Sequence, residues 1–246
     1  MHDRPKKDPV GPAALLSPRF RFWGISELLA VYALGLPVLG ASIAWIASLH
    51  GWGSVNEELP KLPTQPSKEG TPKSRFIVIV TLPATLVLFG YGLWFIFARS
   101  ENVAIDLLET AAARYGIAGL FTGIGEAVVL WRGAGKAALA MDQFSRILVL
   151  LVMVEVVALL GYMVALFGGQ AAKAVSDPGL IRSRLQLGGS MMALGSIGAP
   201  LTAGLSVSIY DFGTVQAWKK GILAGLAGLG FALFLSMVAV STLANP

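Results

Sequence analysis

Six stretches of about 20 mostly apolar residues run through the chain, each long enough to cross a bilayer as a helix rising 1.5 Å per residue. They are Ile25 to Leu49, Phe76 to Ala98, Tyr115 to Lys136, Ile147 to Phe167, Leu187 to Ile209 and Ile222 to Leu243. Strands of a membrane barrel alternate strictly over about ten residues, whereas these runs are continuously apolar and rich in Leu, Ala, Val and Gly. The expected fold class is all-α, a polytopic membrane protein with six transmembrane helices. With only 13% charged residues among 246 and a mean hydropathy of +0.69, little chain is left for a soluble domain.

The 19 basic and 14 acidic residues give a net charge of +5. In a soluble protein that excess would point to nucleic acid; here the cations flank apolar runs, which is the pattern of membrane-surface anchoring, so no nucleic-acid partner is expected. Cysteine is absent, and His2 and His50 both lie outside the runs, which removes disulfides, thiolate metal sites, zinc, haem and iron–sulfur chemistry from consideration.

Residues 1–24 form a unit of their own. Met1 to Pro12 is basic and proline-bearing without a signal-peptide core, and is expected to stay as a solvated tail; Pro18 to Trp23 interleaves Arg19 and Arg21 with aromatics, as an interfacial anchor does. The connection His50 to Lys73, with Pro60, Pro63, Pro66 and Pro72, reads as a flexible linker. Ten Lys and Arg on the side of both termini against nine on the other leave orientation to the basic tail, which favours cytoplasmic termini, as in a multi-pass protein of a prokaryotic cytoplasmic membrane.

An internal repeat groups the spans. Ser74 to Ile79 followed by Leu88-Phe89-Gly90-Tyr91 aligns at an offset of 71 with Ser145 to Leu150 followed by Leu159-Leu160-Gly161-Tyr162. An offset of 75 lays Ile222 to Thr242 over Ile147 to Phe167, and the glycine-rich fifth span over the third. Three tandem helical hairpins result: residues 25–98 with the long loop 50–73, residues 115–168, and residues 187–243. The third and fifth spans carry small residues three or four apart, which lets backbones approach closely in a bilayer; the fourth is filled with Leu, Val and Met, as an outer helix would be. Gly225 to Gly230 has the spacing of a dinucleotide loop but lies inside an apolar span, so it reads as packing.

Twelve of the fourteen acidic residues sit in tails, loops or span ends; Glu126 and Glu155 do not. A carboxylate at the bilayer centre costs several kcal/mol, so each is a candidate site, protonated or paired. With the turn centred near Met141 to Phe144, the two differ in depth by about one helical turn, and a facing pair able to share a proton or hold a cation is expected. Thr122, four residues before Glu126, and Tyr162, seven after Glu155, share their helix faces and are candidate oxygen ligand and hydrogen-bond partner. Arg132 is the competing partner of Glu126, but at six residues on it points elsewhere and is expected to snorkel to the interface.

A glycine-rich helix, a short polar turn and an aliphatic helix with one mid-span glutamate resemble the ion-carrying hairpin of rotary ATPases, the proteolipid ring subunit called c or K of F-, V- and A-type ATP synthases. Glu155 to Leu166 carries the likeness, with its glutamate, a glycine six residues on and a Val-Ala-Leu tail, and so does Gly135-Lys136-Ala137-Ala138 before the turn. The resemblance implies a non-catalytic subunit carrying a proton or sodium ion on Glu155, with Glu126 as co-ligand, Tyr162 as hydrogen-bond partner, and no other cofactor. It implies as partners the lipid bilayer, further copies in a ring, and other membrane subunits. The chain departs from the family at Ala84 and Gly230, which stand where the other hairpins would carry the glutamate, at Met141 to Phe144 in place of Arg-Gln-Pro, and in its long first loop and basic tail. Alternatives are a secondary transporter, for which Pro37, Pro83 and Pro200 offer breaks within spans, a structural subunit, and a stator-type proton channel, which Gly123 to Ala127 resembles in brief.

Overall fold

A computed structural model describes residues 27–56, 71–100, 103, 105–174, 177–209 and 214–244. The basic tail, the aromatic anchor and most of the first loop lie outside the described residues. Six helices long and apolar enough to cross a membrane are present, α1 (Glu27–Gly53), α2 (Pro72–Ala98), α3 (Ile105–Leu139), α4 (Met141–Ala174), α5 (Gly179–Ile209) and α6 (Val215–Ala244), and no strand occurs among the described residues. The chain is an all-α, multi-pass membrane protein. Hydropathy finds apolar runs rather than helix ends, so α3 starts ten residues before Tyr115, and helix continues through His50 to Asn56 where the sequence reads as loop.

Three helices are interrupted, each at its proline. Pro37 has no N–H to return to the Ala33 carbonyl, and α1 widens into a π-turn over Val31–Gly35, with Leu36 N–H donating to the Val31 carbonyl. At Pro83 the α2 ladder lapses into turns, with Thr85 N–H donating to the Leu82 carbonyl (2.9 Å) and Leu86 N–H to the Pro83 carbonyl (3.3 Å). Pro200 follows a similar break at Ile197 in α5.

Helix packing follows small residues. Along α3 and α4, Ala111 meets Gly168, Ala118 meets Gly161, and Gly125 meets Val154. Each step is seven residues forward on one helix and seven back on the other, an antiparallel heptad register. The α5 and α6 pair repeats it, with Gly188 against Ala239, Gly195 against Ala232, and Thr202 against Gly225. In the first hairpin Gly90 closes on the Ala33 carbonyl, and Trp45 Nε1 donates to the Val80 carbonyl (2.8 Å).

Gly90 and Gly161, 71 residues apart, are both close-approach positions, Gly90 against Ala33 of α1 and Gly161 against Ala118 of α3. In the third hairpin Ala232 meets both Gly195 and Gly198, and Thr202 meets both Gly225 and Gly228.

The hairpins stand side by side. Helices α1, α3 and α5 form one row, in which Gly123 packs on Gly40, Gly51 on Ala134, and Gly125 on the Ala199 carbonyl, all with parallel neighbours. Helices α2, α4 and α6 form the second row, with α2 on α4 and α4 on α6. Among the described residues α1 does not pack on α5, nor α2 on α6, so the rows are an open arc and not a closed bundle. Outward faces are aliphatic and aromatic, with Ile46, Leu88, Leu223 and Met237 each at least 66% exposed, as lipid contact requires.

Candidate functional site

The buried hydroxyls inside this fold divide between those satisfied by their own helices and those of Thr122, Thr202 and Ser206, which have no partner among the described residues. Ser48 donates to the Trp45 carbonyl, Ser196 to that of Met192 and Ser236 to that of Leu233. Arg75, buried at the start of α2, donates from Nη1 to the Ala138 carbonyl (3.2 Å), one of the orphan acceptors at the C-terminus of α3. Against that background the middle of the arc stands out.

Glu126 is fully buried on α3, and neither carboxyl oxygen has a hydrogen-bond partner within the described protein; the same holds for the hydroxyl of Thr122, one turn earlier on the same face. Tyr115, two turns before Thr122, is also fully buried, and its hydroxyl donates to the Leu86 carbonyl of α2. From α4, half-buried Glu155 lies within coulombic range of Glu126, and its Oε1 is hydrogen-bonded to the Thr85 hydroxyl of α2. Helices α2, α3 and α4 therefore converge on two carboxyl groups. The break at Pro83 belongs to the site, because it places Leu82, Thr85 and Leu86 beside the two acids.

The heptad register fixes the depth of the pair. Val154 lies opposite Gly125, so Glu155 is level with residue 124, two residues or about 3 Å from Glu126 along the axis. This is half the offset read from the sequence. The turn is not centred at Met141 to Phe144 but is a single-residue break at Ala140, whose N–H still donates to the Lys136 carbonyl and whose carbonyl accepts from Phe144 N–H.

Of the residues singled out from sequence, Glu155, Glu126 and Thr122 come together. Tyr162 is nearby but is not the hydrogen-bond partner of Glu155: seven residues are two turns, about 10.5 Å of rise, and its hydroxyl reaches towards Gly92 of α2. Its ring instead packs edge-on against Tyr115 (5.8 Å between centroids) and at a tilt against Phe89 (5.4 Å), roofing the site. Arg132 does not face Glu126; it lines a groove on the other side of α3. Thr85 and Tyr115 escaped the sequence reading. The 71-residue offset that set Ala84 against Glu155 carried the signal for Thr85, its neighbour, and Tyr115 lies on the helical face of Thr122.

The repeat supplies an internal control. The contact between the second and third hairpins is built from the corresponding helices one step on, and α5 and α6 carry no Asp or Glu among the described residues. It does hold two buried hydroxyls, Thr202 and Ser206, spaced on α5 as Thr122 and Glu126 are on α3, and neither has a partner among the described residues. Paired carboxyl groups are thus present at the first interface and absent from the second among the described residues.

Chemically, two carboxyl groups close together in a low dielectric cannot both ionise unbalanced, so such a pair could hold a proton or a cation. The available ligand atoms are carboxyl and hydroxyl oxygens, which suit a hard cation. No protein-family model, curated protein or solved structure matches the chain.

Proposed function

We propose that this chain is an ion-translocating, non-catalytic ring subunit of a rotary ATPase or ATP synthase in a prokaryotic cytoplasmic membrane, with Glu155 carrying the proton or sodium ion and Glu126 and Thr122 assisting. The observation that carries the reading is the pair of carboxyl groups, Glu126 and Glu155, inside the first hairpin contact, with Thr85 bonded to Glu155. Two like hairpin contacts in an open arc support assembly as well: a contact repeated head to tail generates a ring when the rotation closes. One chain would then contribute three hairpins and one ion site.

Thr85 gives the site a way to follow its charge. Its hydroxyl has one proton, yet it lies 2.7 Å from the Leu82 carbonyl and also bonds Glu155. When Glu155 is protonated, the acid donates to Thr85 and Thr85 donates to Leu82; when Glu155 is ionised, Thr85 turns to donate to it. The neutral form suits exposure to lipid, and release requires a cationic, water-lined partner subunit that stabilises the carboxylate.

A secondary transporter is the second reading, favoured by the three proline breaks, since discontinuous helices near the midplane form transporter sites. Labelling the detergent-solubilised protein with a hydrophobic carbodiimide, with and without sodium and across pH, combined with native mass measurement, separates the two. Modification at Glu155 that sodium suppresses or high pH abolishes, in a multi-copy assembly, supports the ring subunit. The same modification in a monomer supports the transporter, and no modification at Glu155 under any condition leaves a structural subunit.

A further inference from the structure

A groove of about 430 Å³ lies between α1 and α3, on the face of α3 away from Glu155. Ile43, Ile46 and Ala47 form one wall, and Ile124, Ala127 and Val128 the other; Trp131 and Arg132 close one end. We propose that this groove holds one acyl chain of an anionic phospholipid whose phosphate rests on Arg132. The proposal is independent of the ring reading.

Its dimensions fit a lipid leaflet. From Ile124 to Arg132 is eight residues, about 12 Å of helix rise, against about 15 Å for half of the hydrocarbon core. The closed end has the character of an interface: Trp131, about half exposed, stacks on His50 with ring centroids 3.8 Å apart and an interplanar angle of 14°. Aromatic pairs of this kind mark the headgroup level, which puts Arg132 among phosphates and the aliphatic walls among acyl chains.

Arg132 is exposed and makes no ion pair among the described residues, whereas Arg146, near the same end of the hairpin, is paired with Asp142 (3.2 Å). Exposed Lys136 stands one turn further along α3 and adds a second positive charge to the headgroup zone. A basic rim over an apolar cleft between helices selects anionic headgroups over zwitterionic ones. A second copy of the chain is a poorer occupant, because it would have to cover the free guanidinium at the rim.

Native mass spectrometry of the full chain, titrated with phosphatidylglycerol and separately with phosphatidylcholine, tests this. One tightly held phosphatidylglycerol is expected, with Arg132→Ala weakening it about fivefold, the loss for about 1 kcal/mol per cation. Lys219→Ala, exposed at the start of α6, should leave it unchanged. Ala127→Phe should remove the bound lipid whatever its headgroup, and its helical circular dichroism checks that the protein still folds. Equal affinity for the two lipids, or an anionic lipid held equally by wild type and Arg132→Ala, would overturn the proposal, as would lipid that survives Ala127→Phe in a folded protein.

Discussion

Glu126 and Glu155 reach the same depth of the membrane from two antiparallel helices, separated by only two residues along the axis, because Gly125 packs against Val154. They differ in support. Glu155 is hydrogen-bonded by Thr85, while both oxygens of Glu126 lack a partner within the described protein. A fold selected only for stability does not retain an unpartnered buried acid beside a second one, since apolar residues of similar volume are usually neutral or better at such places.

Replacing Glu126 by leucine therefore separates stability from function. Glu126→Leu removes an uncompensated polar group and is expected to leave thermal stability in detergent unchanged or raise it by about 1–4 kcal/mol. Ion-coupled activity in reconstituted vesicles should fall at the same time. A marked drop in melting temperature would mean that Glu126 has a structural partner, and the functional assignment would move to Glu155 alone.

Thr85→Val tests the hydroxyl that bridges Leu82 and Glu155. The substitution keeps the branched shape and removes one hydrogen bond to an ionisable group, a loss of about 1.5–3 kcal/mol when the acid is charged. Ion uptake should slow by about tenfold or more, while Leu88→Ala, on the exposed face of the same helix, should leave it alone. Uptake that is equal in Thr85→Val and wild type would remove Thr85 from the site.

How much of this was legible in the sequence depends on what each feature rests upon. Six apolar runs sufficed for the all-α membrane class, because a backbone in lipid must satisfy itself internally and a continuous apolar run does so as a helix. Glu126 and Glu155 were visible for the same reason: a carboxyl group amid Leu and Val is conspicuous in one dimension. Thr85 was not, since threonine is common at helix ends and its role comes from the turn at Pro83, a local backbone event. The partner of Glu155 also depended on a register that the sequence leaves free until the break at Ala140 is placed.

The small-residue register is testable by size. A Cβ on Gly161 would collide with that of Ala118, while one on Gly230 would meet nothing within 4 Å. Gly161→Val is therefore expected to destabilise the protein by about 1–3 kcal/mol, and Gly230→Ala to change stability by less than about 0.5 kcal/mol. Adding Ala118→Gly to Gly161→Val should recover part of the loss, because residues in direct contact do not behave additively. Equal effects at Gly161 and Gly230 in thermal unfolding would contradict the heptad alignment of α3 and α4.

The parallel packing of α1 on α3 predicts a specific cross-link. The chain has no cysteine, so an introduced pair reports on nothing else. A Cβ at Gly51 would lie 3.0 Å from that of Ala134, slightly inside the roughly 3.5–4.5 Å between bridged Cβ atoms, and a few tenths of an ångström of helix movement brings the pair into range. Gly51→Cys with Ala134→Cys should therefore oxidise to an intramolecular disulfide in membranes. Gly53→Cys with Ala134→Cys should not, because Gly53 faces open space with nothing within 4 Å, more than half a helical turn round from Gly51. A disulfide from both pairs would show that α1 turns freely against α3, and one from neither that the first hairpin sits elsewhere. Either result would remove the first of the two like contacts on which assembly into a ring depends.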